Sequence, residues 1–275
     1  MLYHAKNGCL ALGDARMDYI RFGSGKRTLI ILPGLGDGLT TVKGTALPMS
    51  LTYRLFATEF TVYMFSRRQP LSAPCSTRDM ALDLITAMDQ LGISKADILG
   101  VSMGGMIAQH LAADYPERVS RLVLTVTCAR PNPMLTGAVQ QWVDLARRGD
   151  HTALMDSNVR LIYSEGYYRK TKWLVPLMGI LTKPKSYRRF LIQADACARH
   201  DCFVRLKDIS CPTLVICGGQ DRVVGEVPSR ELAEGIPGAR LITYRQWGHG
   251  VYEEEPTFNE TVLSFLLEGE SPCTV

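Results

Sequence analysis

The chain has 275 residues, of which 46% are hydrophobic, and this length and composition allow a large core and exclude a disordered protein. The first thirty residues hold no apolar stretch of signal-peptide length, and no later segment reaches the roughly 18 apolar residues of a membrane span. We therefore expect an intracellular, cytoplasmic protein without a membrane partner. The net charge of +4 is uneven, because residues 130–199 contain twelve Lys or Arg but five Asp or Glu.

Short β-type runs alternate with helical patterns, which is typical of a parallel sheet covered by helices. Residues 9–12 and 17–22, joined across Gly13 and Asp14, predict an opening hairpin. Apolar runs predict further strands at residues 28–32, 61–65, 96–101 and 119–126. One predicted helix is capped at Ser76 and stopped by Gly92, and a second follows residue 102 and is closed by Tyr115-Pro116.

From residue 130 to residue 199 the alternation lapses. Helical stretches at 139–147 and 187–198 are interrupted by prolines and glycines, which predicts an inserted helical unit. Alternation resumes with a strand at 213–217, a short helix near 229–233, a strand at 239–244 and a last helix at 257–267. We therefore expect one core domain, residues 1–129 and 200–275, with a helical insertion at 130–199.

The segment Gly100-Val101-Ser102-Met103-Gly104 joins a predicted strand to a predicted helix and has the form of a nucleophile elbow. A serine at the tip of this tight turn is forced into an unfavourable backbone conformation, which nearby glycines sterically allow. The pattern G-x-S-x-G alone arises by chance in roughly one chain in ten of this length. The assignment of Ser102 as a nucleophile therefore depends on its partners.

A serine hydroxyl needs a base within hydrogen-bond reach, and the base needs a group that fixes its tautomer. Among the five histidines, His249 lies between two glycines in a loop directly after a predicted strand, which makes it the candidate base. Asp221 follows the strand at 213–217, at the carboxyl edge where open α/β sheets gather their sites. The order Ser102, Asp221, His249 is the one expected for this architecture.

A tetrahedral oxyanion also needs donors, commonly backbone N–H groups. The loop Pro33-Gly34-Leu35-Gly36 ends a predicted strand. Its Leu35 amide and the amide of Met103 are the candidate pair, and the alternative interpretation is a simple Pro-Gly turn.

Together these segments resemble the α/β-hydrolase superfamily, of the single-domain esterase, lactonase and perhydrolase kind. The blocks that carry the resemblance are the elbow, the loop at 218–224 and the loop at 247–253. The resemblance implies an α/β-hydrolase fold, with a mostly parallel eight-stranded sheet flanked by helices, and a cap at residues 130–199 over the active site. It also implies Ser102 as nucleophile, His249 as base, Asp221 as its orienter, and no metal or organic cofactor.

Two loops depart from the usual family pattern. Pro33 stands where many relatives have a histidine, and Ser66-Arg67-Arg68-Gln69 replaces a common aspartate, arginine, glycine sequence. Both departures bear on substrate positioning more than on the three catalytic candidates.

The default hypothesis is hydrolysis of a small-molecule carboxylic ester, lactone or thioester through an acyl-enzyme. Carbon–carbon bond hydrolysis and acyl transfer use the same three residues and remain alternatives. A non-catalytic, ligand-sensing protein of this fold is a third. We expect a monomer or a homodimer and no nucleic-acid partner, because the basic segment carries no recognisable binding motif.

For the substrate pocket we expect contributions from Gly34, Trp142 and Trp173, with the side chain of Met103 facing the acyl group. The basic cap suggests that anionic substrates are attracted through arginines, against the alternative of a solvated helical surface. These arginines are Arg147, Arg148, Arg188 and Arg189.

The eight cysteines show no C-x-x-C pair and no histidine at zinc spacing, which predicts reduced thiols and no metal site. They are Cys9, Cys75, Cys128, Cys197, Cys202, Cys211, Cys217 and Cys273.

Overall fold

A computed structural model describes residues 2–269, and the strands of this part of the chain form one eight-stranded sheet. The strands are β1 (Lys6–Leu12), β2 (Ala15–Phe22), β3 (Arg27–Leu32), β4 (Phe60–Phe65), β5 (Ala96–Val101), β6 (Val119–Thr125), β7 (Thr213–Gly218) and β8 (Arg240–Tyr244). Their order across the sheet is β1-β2-β4-β3-β5-β6-β7-β8. The hairpin β1–β2 and the β2–β4 pair are antiparallel, and all other neighbours are parallel.

Helices cover both faces of this sheet. They are α1 (Ala46–Thr52), α2 (Thr77–Gln90), α3 (Met103–Asp114), α4 (Pro133–Arg147), α5 (His151–Ile162), α6 (Glu165–Thr171), α7 (Val175–Leu181), α8 (Arg188–Ala198), α9 (Val227–Gly235), α10 (Val251–Glu254) and α11 (Phe258–Leu267). Every residue of β5 and of β7 is buried, as expected for strands covered on two sides. The predicted fold class, a mostly parallel eight-stranded sheet flanked by helices, is confirmed.

Local sequence signals account for the best-defined helix boundaries. At the start of α2, Ser76 accepts a hydrogen bond from the Asp79 amide while the Asp79 carboxylate accepts from the Ser76 amide, which completes the predicted cap. Gly92 follows the end of this helix with φ = 66°, a conformation that glycine adopts without strain. Helix α1 was not predicted, and Thr45, its N-cap residue, makes no side-chain capping bond.

Five helices, α4 to α8, lie in sequence between β6 and β7, where the sequence predicts the inserted unit. Their placement above the carboxyl ends of the strands brings several of their side chains to the pocket described below. Within residues 2–269 no helix is long and apolar enough to cross a bilayer.

The cysteines in the described part of the chain are free thiols. Cys9 is exposed, and the other six described cysteines are buried. Cys273 lies outside the described residues.

Candidate functional site

Ser102 lies at the junction of β5 and α3 in a strained backbone conformation, with φ = 54° and ψ = −120°. The turn is tight because its glycines have no side chain, so that neighbouring backbone segments pack in direct contact. A Cβ on Gly104 would lie 1.9 Å from the Leu32 carbonyl oxygen, and one on Gly100 would lie 2.7 Å from the Gly105 Cα. The glycines predicted to permit an elbow are therefore required by its packing.

The structure brings Ser102, His249 and Asp221 together, although 147 residues separate the serine from the histidine. His249 Nε2 lies 3.0 Å from Ser102 Oγ, and His249 Nδ1 lies 2.8 Å from Asp221 Oδ2. The other carboxylate oxygen of Asp221 accepts from the amides of Val223 (2.7 Å) and Val224 (2.9 Å). With the acid anchored in this way, Nδ1 donates to the carboxylate and Nε2 is free to accept the serine proton.

The loops that carry the acid and the base are held against each other by backbone contacts. The Gln220 amide donates to the Trp247 carbonyl at 2.9 Å, and the Gly219 amide donates to the Tyr244 carbonyl at 3.0 Å. Gly218 is required where the loops cross, because a Cβ there would lie 2.1 Å from the Gly248 carbonyl oxygen. On its other side the base loop contacts the inserted helices, since the Gly250 amide donates to the Ile162 carbonyl at 2.7 Å.

Two candidate oxyanion donors begin helical turns. Met103 is the first residue of α3, and Leu35 begins a 3₁₀ turn at Leu35–Gly38, so neither N–H has an intrahelical partner. Gly34 packs directly on Ser102, since a Cβ at Gly34 would lie 3.3 Å from Ser102 Cβ. The loop that carries Leu35 is therefore next to Ser102.

A buried ionic cluster holds this loop. The Asp37 carboxylate accepts from the Arg67 amide at 3.1 Å and from the guanidinium of Arg189, and Arg67 Nη2 donates to the Pro33 carbonyl at 2.5 Å. Arg189 also donates to the backbone carbonyls of Asp37 and Arg67. Since Arg189 belongs to α8, an inserted helix is joined directly to the loop that carries the Leu35 amide.

A pocket of about 430 Å³ opens onto Ser102 and His249. Its wall is mostly apolar and aromatic, and includes Leu35, Met49, Tyr53, Met64, Trp142, Met155, Val159, Ile162, Tyr163, Met178, Phe190 and Tyr252. Gly34 and Trp142, two of the expected substrate-binding residues, line this cavity, and the Trp142 indole N–H donates to Ser157 Oγ at 3.1 Å.

Two side chains do not lie where the sequence analysis expected them. Trp173 is 72% exposed on the outer surface and does not reach the pocket wall. The Met103 side chain is fully buried in the core beneath the sheet edge, because the first residue of α3 turns its side chain away from the cavity. Only the backbone of Met103 remains a candidate site group.

The charges of the pocket are carboxylates. Among described residues, the Lys and Arg side chains are absent from its wall, whereas Asp37 and Glu253 are present. The Tyr163 hydroxyl donates to Glu253 at 2.5 Å, and burial raises the pKa of Glu253 above its ordinary value. Of the four arginines proposed to attract anions, Arg189 is engaged with Asp37, and none lines the pocket.

Sequence reasoning missed Asp37 and Glu253. Asp37 directly follows the predicted oxyanion loop, which ends at Gly36, whereas Glu253 lies within the segment 247–253 already singled out. No group of three His, Cys, Asp or Glu side chains suited to a metal ion occurs between residues 2 and 269.

The comparisons with known proteins agree with this architecture. A model of the α/β-hydrolase fold family matches residues 27–256, and the chain therefore belongs to that family. The 2-hydroxy-6-oxononadienedioate/2-hydroxy-6-oxononatrienedioate hydrolase of Klebsiella pneumoniae is 28% identical over 256 residues, which cover 89% of this chain and 88% of the relative.

Solved structures show the same fold. MGS-M2, an α/β-hydrolase enzyme from a Medee basin deep-sea metagenome library, superposes with a TM-score of 0.83 at 22% identity. The match covers 98% of this chain and 100% of the MGS-M2 chain. The enol-lactonase from Burkholderia xenovorans LB400 superposes with a TM-score of 0.80 at 24% identity, and the match covers 95% of this chain and 100% of the lactonase chain.

Proposed function

We propose that this protein is a serine hydrolase that cleaves small carboxylic esters or lactones with an uncharged acyl group. The observation that carries the proposal is the continuous hydrogen-bonded series from Asp221 through His249 to Ser102 at the floor of an apolar pocket. Membership of the α/β-hydrolase fold family supports hydrolase chemistry, and the bond that is cleaved is argued from the pocket.

In the proposed reaction Ser102 Oγ attacks the ester carbonyl carbon while His249 Nε2 accepts the serine proton. The Asp221 carboxylate stabilises the imidazolium that forms. The amides of Leu35 and Met103 donate to the carbonyl oxygen as it becomes an oxyanion, and each such donor typically lowers the barrier by about 3 kcal/mol. The imidazolium then protonates the leaving alcohol, which departs and leaves an acyl-enzyme.

Deacylation repeats these steps with water as the nucleophile. His249 removes a proton from the water, the hydroxide attacks the acyl carbon, and Ser102 Oγ leaves with the proton returned by His249. The tetrahedral intermediate uses the same two amides. The product is a carboxylic acid that ionises at neutral pH, and no Lys or Arg side chain of the described residues lines the wall to hold its carboxylate, which favours release.

The pocket also bears on the carbon–carbon bond alternative. The Klebsiella relative is named for dienedioate substrates, which carry two carboxylates and no ester. Such a dianion would need cationic partners, whereas no Lys or Arg side chain of the described residues lines the wall, and the nearby Arg189 is already paired with Asp37. We therefore place ester or lactone hydrolysis ahead of cleavage of an acidic ketone.

The test is a panel of p-nitrophenyl esters, a neutral lactone, a thioester and a 2-hydroxy-6-oxo dienoate, measured with the wild type and the Ser102→Ala variant. We expect turnover of the neutral esters, slower turnover of a p-nitrophenyl ester whose acyl group ends in a carboxylate, such as the hemiglutarate, and a loss of about 10⁴-fold or more in Ser102→Ala. Ser24→Ala, at an exposed serine remote from the pocket, is the matched control.

Three results would contradict the proposal. Ser102→Ala turnover close to that of the wild type would remove the nucleophile assignment. Preferential turnover of the dienoate would favour carbon–carbon bond hydrolysis. No Ser102-dependent turnover in the whole panel would favour the ligand-sensing alternative.

A further inference from the structure

The outer side of the inserted helices carries a cluster of large exposed apolar side chains. We define the apolar cap face as Trp173, Leu177, Ile180 and Leu181, which are 72%, 53%, 73% and 74% exposed. These residues lie within nine positions of one another on α7 and the turn that precedes it. An exposed apolar cluster of this kind marks an interaction surface more often than a chance arrangement.

The inward face of α7 explains why these side chains stay outside. The helix buries Val175 and Gly179, which are four residues apart and share one side. A Cβ on Gly179 would lie 2.5 Å from Thr152 Oγ1 on α5, so close helix packing requires a small residue there. The small residues therefore face the protein, and the large apolar residues face outward.

Positively charged residues flank the apolar cap face on both sides in the sequence. Between Glu165 and Asp195 the sequence contains no Asp or Glu, but it contains seven Lys or Arg. The flanking exposed cations are Lys170, Lys172, Lys183, Lys185 and Arg188. Within residues 2–269 none of these five forms an ion pair, whereas Arg169 is paired with Glu165 at 3.3 Å and Arg189 with Asp37.

We propose that the apolar cap face docks on the surface of an anionic lipid bilayer. Apolar side chains that include Trp and Leu, flanked by Lys and Arg, match the requirements of a segment that lies in the membrane interface without spanning it. The lysines would contact acidic headgroups, each contributing about 1 kcal/mol near such a surface. The expectation of no membrane partner rested on the lack of a spanning segment, a criterion that does not address surface binding.

A second copy of the chain is a poorer occupant of the same face. A two-fold contact would place the same patch on both subunits and bring the two sets of unpaired cations together. Their mutual repulsion would oppose that contact, whereas an anionic bilayer neutralises them.

The docking segment also forms part of the pocket wall. Met178 and Thr182 line the cavity, while Leu177, Ile180 and Leu181, next to them in sequence, point outward. Docking would therefore place one wall of the pocket close to the lipid, the phase in which apolar esters accumulate. The binding itself does not depend on the proposed esterase activity and is tested without turnover.

The first experiment is co-sedimentation of the full-length protein with vesicles. We expect binding to mixed phosphatidylglycerol and phosphatidylcholine vesicles, weak binding to phosphatidylcholine alone, and a marked loss at about 1 M salt, where the Debye length is about 3 Å. The triple variant Trp173→Ser, Ile180→Ser, Leu181→Ser should partition at least about tenfold more weakly. Val204→Ser with Val227→Ser is the matched control, because these valines are 72% and 76% exposed elsewhere.

The second experiment measures tryptophan fluorescence of the wild-type protein and does not depend on a variant that weakens binding. The chain has three tryptophans, and Trp173 is the exposed one, since Trp142 is buried and Trp247 is partly buried. On anionic vesicles we expect a blue shift of the emission and quenching by brominated acyl chains. Trp173→Phe should retain binding but lose both signals.

The proposal would be overturned by an absence of binding to anionic vesicles, by equal binding of the triple variant and wild type, or by a vesicle-bound protein whose Trp173 is not quenched. Light scattering that showed a dimer abolished by the triple variant, without vesicle binding, would instead assign the face to a second copy. Pull-down of an acidic protein through the same residues, again without vesicle binding, would equally reject the lipid.

Discussion

Arg189 joins the inserted helices to the loop that carries the Leu35 amide. Its guanidinium contacts the Asp37 carboxylate and two backbone carbonyls, and its side chain is only 14% exposed. A largely buried ion pair that is reinforced by two bonds to backbone carbonyls fixes geometry more tightly than a surface pair does. We therefore regard Arg189 as a positioning residue for the candidate oxyanion loop.

Replacement of Arg189 by Met tests this role. Because the loop would be less firmly held, we expect kcat on a p-nitrophenyl ester to fall about tenfold with little change in KM, as for loss of transition-state stabilisation. Arg189→Lys should recover part of the loss, since a single charge remains. The control is Arg199→Met, which removes an exposed arginine paired only with Asp195. A change in KM alone would argue for a role in ground-state binding instead.

Some features of the candidate site follow from the order of predicted strands, and others do not. Ser102, Asp221 and His249 were chosen because each follows a predicted strand at the same sheet edge, and topology alone brings such positions together. The inward or outward direction of a side chain is harder to predict, which is why Trp173 and the Met103 side chain were misplaced. The Arg189–Asp37 pair spans 152 residues, and no local pattern indicates such a partner.

At the scale of elements, the elbow helix α3 lies unusually close to the sheet. Gly104→Ala would place a methyl group 1.9 Å from the Leu32 carbonyl oxygen, a backbone atom that cannot move aside. We expect this variant to be severely destabilised or to fail to fold. Circular dichroism and thermal unfolding would measure the effect.

Gly137→Ala in α4 is the matched control, and its expected effect on stability has the opposite sign. Gly137 lies inside that helix, is exposed, and has no atom within 4 Å of its would-be Cβ. We expect a gain of about 0.5–1 kcal/mol in the free energy of unfolding, since alanine favours helix over glycine. If Gly104→Ala and Gly137→Ala changed the free energy of unfolding equally, close packing on Leu32 would not be the reason that the elbow requires a glycine at position 104.

Elements with strong local signals were predicted to within a few residues, and those without them were not. Helix α2 has a capping box and regular apolar spacing, and its start agreed with the structure. Helix α1 has seven residues and no side-chain cap, so tertiary packing must determine it. The breaks among α5, α6 and α7 do carry local signals, since the Ser164 side chain caps α6 by accepting from the Tyr167 amide and Pro176 lies in the first turn of α7.

Two buried histidines, His110 and His200, make the free energy of unfolding depend on pH. His200 packs edge-on against His110 with ring centres 5.1 Å apart, and its Nδ1 lies 2.9 Å from Thr77 Oγ1 at the start of α2. Burial, reinforced by His110, lowers the pKa of His200 from 6.5 to about 3. Burial also lowers the pKa of His110.

The sign of the effect follows from proton binding. Below pH 6.5 the unfolded chain protonates His200 while the folded protein does not, so stability falls as the pH drops from 6.5 toward 3. At pH 5 the loss from this one group is about 2 kcal/mol. Unfolding midpoints between pH 7 and pH 5 should fall less steeply in His200→Gln than in the wild type. Replacement of the exposed His4 by Gln is the control, and an unchanged slope in His200→Gln would contradict the prediction.

The hydrogen bond from the Gly250 amide to the Ile162 carbonyl ties the residue that follows His249 to the last residue of α5. Ile162 also lines the pocket, so one backbone contact connects the pocket wall to the histidine loop. Any displacement of α5 that lengthens this 2.7 Å bond must break it or shift the loop that holds His249 Nε2 within 3.0 Å of Ser102 Oγ.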